Sequence, residues 1–229
     1  PVRADDRFLG LLPPFHSFGL TVTVLLPLLA GIPVVYHPVP TEGGRLARLL
    51  AGWRATLLAA TPTFLNGILR AAEPGELASL RLAIVGAEAC PAAVGAALAR
   101  QAPNAVLLEG YGITECAPVV AVNDPRAPRP GTIGRVLPSL RRAVVDPEAP
   151  GRRVPRGQRG LLLVRGPSVF AGYLGEPGPG PFVEFEGARW YRTGDLVRED
   201  ETGALIFAGR LKRFVKIGGE MVSLPAVEE

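Results

Sequence analysis

The chain has 229 residues, of which 48% are hydrophobic and 20% charged; that is enough apolar mass for a buried core and argues against global disorder. Its net charge of +4 comes from arginine, Lys212 and Lys216 being the only lysines. The arginines are scattered, with no run that alternates them with aromatics as a nucleic-acid groove would. Cys90 and Cys116 form no C-x-x-C and have no nearby histidine pair, which argues against a zinc site or a disulfide scaffold.

Residues 8–12 read as a strand, followed by a helical stretch after Phe18. No signal peptide opens the chain. Residues 18–36 carry no charge, but Pro27, Gly31 and Pro33 interrupt them. A helix and then a buried strand at 33–36 account for this stretch better than a bilayer span does. Leu46, Leu49, Leu50 and Trp53 recur at i, i+3, i+4, i+7, which predicts one helix face. Residues 56–60 return to strand, 64–72 to helix and 82–85 to strand. A helix starts at Pro91, where proline suits a first turn, and 105–109 is the fifth strand. Apolar strands alternating with helices predict an α/β fold, a doubly wound, mostly parallel sheet covered on both faces.

After Asn123 proline and glycine become dense and short β-rich runs appear at 142–145, 161–165 and 204–208, the last behind an Asp200-Glu201-Thr202-Gly203 turn. This predicts a small antiparallel β subdomain, with 175–181 as a surface loop. The domain expectation is therefore 1–123 for the sheet subdomain, 124–209 for the β-rich one, and 210–229 for a hinge leading into a further domain.

Doubly wound sheets bind ligands beyond the carboxyl ends of their strands. The special residues fall in those loops: Pro13-Pro14-Phe15-His16-Ser17, Thr61-Pro62-Thr63, Gly86-Ala87-Glu88 and Gly110-Tyr111-Gly112-Ile113-Thr114-Glu115. In the last loop glycine permits close backbone approach. Thr114 offers donors to a phosphate oxygen, Glu115 a hard oxygen to Mg²⁺, and Tyr111 a flat face to a base. Taken alone, the hexapeptide is equally readable as an ordinary strand-to-helix turn.

Further motifs follow in order. Pro14-Phe15-His16-Ser17-Phe18-Gly19, the Gly86 and Gly110 motifs, Pro130-Gly131-Thr132-Ile133-Gly134, residues 160–166 with Gly172-Tyr173-Leu174, Tyr191-Arg192-Thr193-Gly194-Asp195 and Gly209-Arg210-Leu211-Lys212-Arg213 together resemble the adenylate-forming (AMP-binding, acyl-CoA synthetase-like) superfamily over nearly the whole chain. The resemblance implies part of the N-terminal domain of such an enzyme, using ATP/AMP and Mg²⁺. It implies that Gly86, Ala87, Glu88, Gly110, Tyr111 and Gly112 hold the nucleotide, with Tyr111 stacked on adenine. Thr114 would touch the α-phosphate and Glu115 bind Mg²⁺. Asp195 would accept from the ribose hydroxyls, with Arg210 on ribose or phosphate. Lys212 would be the hinge, and His16 would flank the path of acyl group and thiol.

Within that family, 212–224 looks like the acyl-acyl-carrier-protein synthetase (2-acylglycerophosphoethanolamine acyltransferase) branch. This implies a fatty acid substrate and a phosphopantetheine thiol, of acyl carrier protein or CoA, as acceptor. No acidic residue stands between Asp6 and Glu42, which disfavours an α-amino acid, whose amine needs a carboxylate partner. The chain starts and stops inside the family's pattern, so the resemblance implies a fragment, inactive alone, of a cytoplasmic protein whose membrane association stays open. A non-catalytic nucleotide- or partner-binding module and an amino-acid or aryl-acid adenylation domain are the alternatives.

Overall fold

The computed structural model describes residues 2–175, 178 and 180–211, and the backbone of 214–217 and 220–223. The chain divides into two compact units, Pro1–Leu137 and Pro138–Glu229.

The first unit is built on one seven-stranded sheet: β1 (Phe8–Gly10), β2 (Val34–Tyr36), β3 (Leu57–Ala60), β4 (Leu82–Val85), β5 (Val106–Gly112), β6 (Val119–Val122) and β7 (Arg135–Val136), in the order β2-β1-β3-β4-β5-β6-β7. The first five strands are parallel, and β6 and β7 run antiparallel. The chain order reverses between β1 and β3, the position at which such sheets open a crevice. All of β3, Leu-Leu-Ala-Ala, is buried, as expected of a strand covered on both faces.

A π-helical segment, Gly19–Leu25, runs into α1 (Leu26–Ala30). Then come α2 (Gly43–Trp53), α3 (Pro62–Ala71) and α4 (Ala92–Gln101). The buried face of α2 is Gly43, Leu46, Ala47 and Leu50, while Trp53, predicted on it, is 54% exposed. Trp53 is the last residue of α2, just before the left-handed cap at Arg54, so it follows the helical period but lies past the buried turns. At the other end α3 comes close: a Cβ on Gly43 would lie 2.3 Å from the Gly67 carbonyl oxygen. Thr61 caps α3 by accepting from the Phe64 amide at 3.2 Å, with Pro62 in the first turn.

The amino ends of the strands are pinned by Asp6, whose side chain is fully buried. Arg81 donates to it through Nη2 at 2.6 Å and Nε at 3.2 Å, Thr56 through Oγ1 at 2.7 Å, and the Arg3 amide at 2.7 Å. Burial pushes this carboxyl up, but these hydrogen bonds together outweigh it and hold it below the usual carboxylate range.

One expectation fails at β5: the strand does not end at residue 109. It continues through Gly110, Tyr111 and Gly112, which pair antiparallel with Val122, Ala121 and Val119 of β6. The chain folds back because Ile113 N donates to Pro118 O at 2.8 Å around a 3₁₀ turn, Thr114–Cys116.

The second unit carries an antiparallel sheet of β8 (Arg141–Val145), β9 (Arg159–Arg165), β10 (Phe182–Phe185), β11 (Ala188–Glu199) and β12 (Leu205–Arg210), in the order β10-β11-β9-β8 with β12 also on β11. Its core is Ala143, Val145, Leu161, Leu163, Phe185, Trp190 and Leu196. β10 and β11, unforeseen, form a hairpin across Glu186 and Gly187, at φ 49° and 69°. Two positive φ angles make the tight turn that matches strand twist. Asp200 Oδ1 accepts from the amides of Thr202 and Ala204 at 2.8 and 3.0 Å, closing the predicted turn before β12. A short hairpin, β13 (Phe214–Ile217) and β14 (Glu220–Ser223), follows. Lys212, Arg213 and part of the predicted 175–181 loop lie outside the described residues. No helix among the described residues is long and apolar enough to cross a membrane.

Candidate nucleotide site

Four loops leave the carboxyl ends of β1, β3, β4 and β5 in the first unit, and side chains cross-link them. Ser17 Oγ, after β1, lies 3.1 Å from Thr114 Oγ1, after β5. Thr63 Oγ1, at the start of α3, donates to Glu88 Oε2, after β4, at 2.6 Å. A Cβ on Gly86 would stand 3.3 Å from the Gly110 carbonyl oxygen and 3.7 Å from the Phe18 ring, so the Gly86 and Gly110 backbones meet under that ring. The structure therefore brings the predicted Gly86, Glu88, Gly110 and Thr114 onto one rim.

Ala87 sits at φ 70°, a left-handed conformation that costs an L-residue about 1–2 kcal/mol. Strain of this kind persists where surrounding structure enforces it, and it clusters at binding sites. Here it falls between buried Gly86 and exposed Glu88.

Gly112 shows why the hexapeptide needs glycine. A Cβ there would lie 2.4 Å from the Pro118 carbonyl oxygen, so the return of the chain into β6 leaves no room for one. Tyr111 between the glycines is half-buried, Thr114 is exposed and Glu115 is half-buried. Among the described residues no cluster of three or more His, Cys, Asp or Glu could hold a metal ion. A single carboxylate fits Mg²⁺ nonetheless, since that ion takes one or two carboxylates together with substrate phosphates and water.

His16 is exposed, and its Nδ1 accepts from the Phe18 amide at 3.2 Å. An accepting Nδ1 puts the neutral ring's proton on Nε2. The His16 carbonyl accepts from the Leu20 amide at 2.9 Å, so the residue also starts the π-helical segment. The loop is pressed down by Gly19, where a Cβ would lie 2.1 Å from the Pro13 carbonyl oxygen.

Sequence reasoning missed the polar hub beneath the glycines. Glu109 Oε1 accepts from the Gly131 amide at 2.7 Å. Buried Asn123 donates to the carbonyls of Thr132 at 2.7 Å and Glu109 at 3.3 Å, and accepts from the Arg129 amide at 3.0 Å. A Cβ on Gly134 would lie 2.0 Å from the Val122 carbonyl carbon. The Pro130-Gly131-Thr132-Ile133-Gly134 motif is thus a clasp on β5 and β6. Burial raises the Glu109 carboxyl, partly offset by Gly131. Burial, then Glu109, lifts the Cys90 thiol to about 11; burial, then Glu115, lifts Cys116 to about 12. An acidic residue just before a glycine-aromatic-glycine run was the available signal.

In the second unit Asp195 and Arg210 are register partners of β11 and β12. Arg210 Nε donates to Asp195 Oδ1 at 2.7 Å. The pairing of β11 with β9 shifts register between Arg192 and Leu196, at Gly194 with φ 76°. Thr193 stabilises the irregularity, donating to Leu162 O at 2.9 Å and accepting from Asp195 N at 3.0 Å. Asp195 is therefore a strand residue at a bulge, a device that re-aims a side chain.

The model of the AMP-binding enzyme family matches residues 1–174. The 4-coumarate–CoA ligase 2 of Oryza sativa subsp. japonica is 30% identical over 227 residues, covering 96% of this chain and 39% of that protein. ATP-bound MatB from Rhodopseudomonas palustris is similar with a TM-score of 0.80 and 31% identity, over 98% of this chain and 44% of that one. A long-chain-fatty-acid–CoA ligase, FadD1, from Archaeoglobus fulgidus gives 0.82 and 26%, over 92% and 44%. The chain spans about two fifths of the length of the curated relatives it matches.

Proposed function

The chain belongs to the AMP-binding enzyme family, and from that premise we propose that it is the nucleotide-binding part of an ATP-dependent ligase. The ligase activates a carboxylic acid as acyl-AMP and passes the acyl group to a pantetheine thiol. The observation that carries this reading is the cross-linked rim, with Ser17 against Thr114 and Thr63 against Glu88.

In the proposed reaction a carboxylate oxygen attacks the α-phosphorus of ATP and pyrophosphate leaves. The thiol sulfur then attacks the acyl carbonyl carbon, loses its proton, and AMP departs. Two anions must meet in the first step, so positive charge and fixed donors have to offset their repulsion. Thr114 donates to an α-phosphate oxygen from the turn that closes β5. Tyr111 stacks on adenine beside Gly86, Ala87 and Glu88. Asp195 accepts from ribose hydroxyls while Arg210 holds it and faces ribose or phosphate. Glu115 would hold Mg²⁺, which when bound supplies charge neutralisation at the phosphates. His16 presents an Nε2 donor toward the acyl and thiol path. The two units of this part are Pro1–Leu137 and Pro138–Glu229, and 210–229, with Lys212, is the hinge.

The acid is one without an amine. The relatives include ligases of an aryl acid and of long-chain fatty acids, and of these we favour the fatty acid. CoA is the acceptor of those ligases; residues 212–224 favour acyl carrier protein as a second reading. AMP binding by this chain, weakened in Asp195→Ala, tests the nucleotide site. Pyrophosphate exchange by the chain extended to its relatives' length, over fatty, aryl and amino acids, tests the chemistry. Exchange with none of them, alongside intact AMP binding, would favour a non-catalytic nucleotide-binding module.

A further inference from the structure

Ser17 follows β1 and Thr114 follows β5, with β3 and β4 between those strands in the sheet, and their hydroxyls stand 3.1 Å apart, with either oxygen able to donate. We propose that Ser17 is a positioning residue that aims the Thr114 hydrogen at a ligand phosphate. The inference rests on the reading of Thr114 as a phosphate contact. Two facing hydroxyls share one hydrogen between them, and whichever donates leaves the other's hydrogen directed elsewhere. When an anion approaches exposed Thr114, the favoured arrangement has Ser17 O–H donating to Thr114 Oγ1 and Thr114 O–H donating to the phosphate oxygen. Donors in series polarise one another, and the terminal bond to a charged acceptor is the strong one.

The geometry suits this role because both hydroxyls are held before a ligand arrives. Ser17 is half-buried between the Phe18-amide-to-His16 Nδ1 bond at 3.2 Å and the close contact of Gly19 with Pro13. Thr114 begins a turn closed by Ala117 N donating to its carbonyl at 3.2 Å and Cys116 N to Ile113 O at 2.9 Å. Little freedom is left to lose on binding.

Calorimetric titration of the 229-residue chain with AMP and with adenosine tests the relay. Ser17→Ala should weaken AMP about fivefold, the size of one net hydrogen bond, and leave adenosine within about twofold. Ser17→Thr, which keeps the hydroxyl, should restore AMP binding. Thr114→Val with Ser17→Ala should bind AMP no worse than Thr114→Val alone. Equal losses for AMP and adenosine, or additive losses in the double variant, overturn the relay and leave Ser17 as packing. Unchanged AMP binding in Ser17→Ala overturns the relay alone, whereas failure of the unaltered chain to bind AMP overturns the underlying nucleotide reading with it.

Discussion

Asp195 and Arg210 are paired in register across two antiparallel strands, yet they stand in opposite environments: the Asp195 side chain is 1% exposed and that of Arg210 57%. Their removal should therefore have unequal consequences. Arg210→Ala takes the guanidinium from a buried carboxylate and should cost about 2–3 kcal/mol of stability. Asp195→Asn keeps the shape of the site and leaves a largely solvated guanidinium, so it should cost about 1 kcal/mol. If Asp195 accepts from ribose, Asp195→Asn should nonetheless weaken AMP about tenfold and leave 2′,3′-dideoxy-AMP unaffected. Urea unfolding and nucleotide titration separate the two effects; equal weakening of both nucleotides would remove Asp195 from ribose recognition.

At the amino ends of the first sheet's strands Asp6 should act on stability alone. Its carboxyl is held below the usual range, so the unfolded chain takes up this proton more readily than the folded one. The resulting stability is fully present above the unfolded value of about 4 and is lost as pH falls below it toward the folded value. Asp6→Asn should lower stability by about 3 kcal/mol at pH 7 and flatten the decline below about pH 4. AMP affinity should not change, since Asp6 sits at the amino ends of the strands. An unchanged acid slope would show that other carboxylates set it.

The parallel strands were legible because each is a short apolar run bounded by turn residues. The rim followed, since strand order places those loops together whatever their details. What escaped was set by contacts distant in sequence. Trp53 fits the helical period, but it is the last residue of α2 and lies past the part of that face the core covers. Gly110 and Gly112 read as loop because glycine is rare in strand interiors, yet β6 claims their hydrogen bonds. Glu186 hid the hairpin between β10 and β11, since tight turns of this kind more often announce themselves with Asn or Asp before glycine. The Glu109–Gly131 and Asn123–Thr132 bonds depend on a chain reversal that no local pattern announces. For Asp195 the motif was visible, but the bulge at Gly194 and the pairing with Arg210 belong to the whole sheet and were not.

The cysteines should be inert. Thiols raised to about 11 at Cys90 and about 12 at Cys116 present almost no thiolate at pH 7.5, and thiolate is the reactive form. Iodoacetamide at that pH should leave both unmodified over an hour in the folded chain and label both in urea, as read by mass spectrometry. Raising the pH toward 11 should bring in Cys90 first, because Cys116 is 1% exposed. Glu109→Gln should lower that threshold slightly, since the carboxylate contributes to the shift after burial. Rapid labelling of Cys90 at pH 7.5 would mean that the Glu109 clasp opens in solution.

The glycines around β5 should rank by what stands over them. At Gly112 a methyl group would meet the Pro118 carbonyl oxygen at 2.4 Å, and at Gly110 the nearest atom is the Ala121 carbonyl oxygen at 3.3 Å. Backbone cannot step aside as a side chain can, so Gly112→Ala must push β5 and β6 apart. It should cost about 3 kcal/mol, at the upper end of overpacking effects, and abolish AMP binding by displacing Tyr111 and Thr114 together. Gly110→Ala asks for a shift of a few tenths of an ångström and should cost about 1 kcal/mol with AMP binding reduced but measurable. The order is specific to this reversal of the chain. Were residues 110–115 a free loop, as their composition suggests, both alanines would be tolerated alike, and thermal unfolding of the two variants decides between these outcomes.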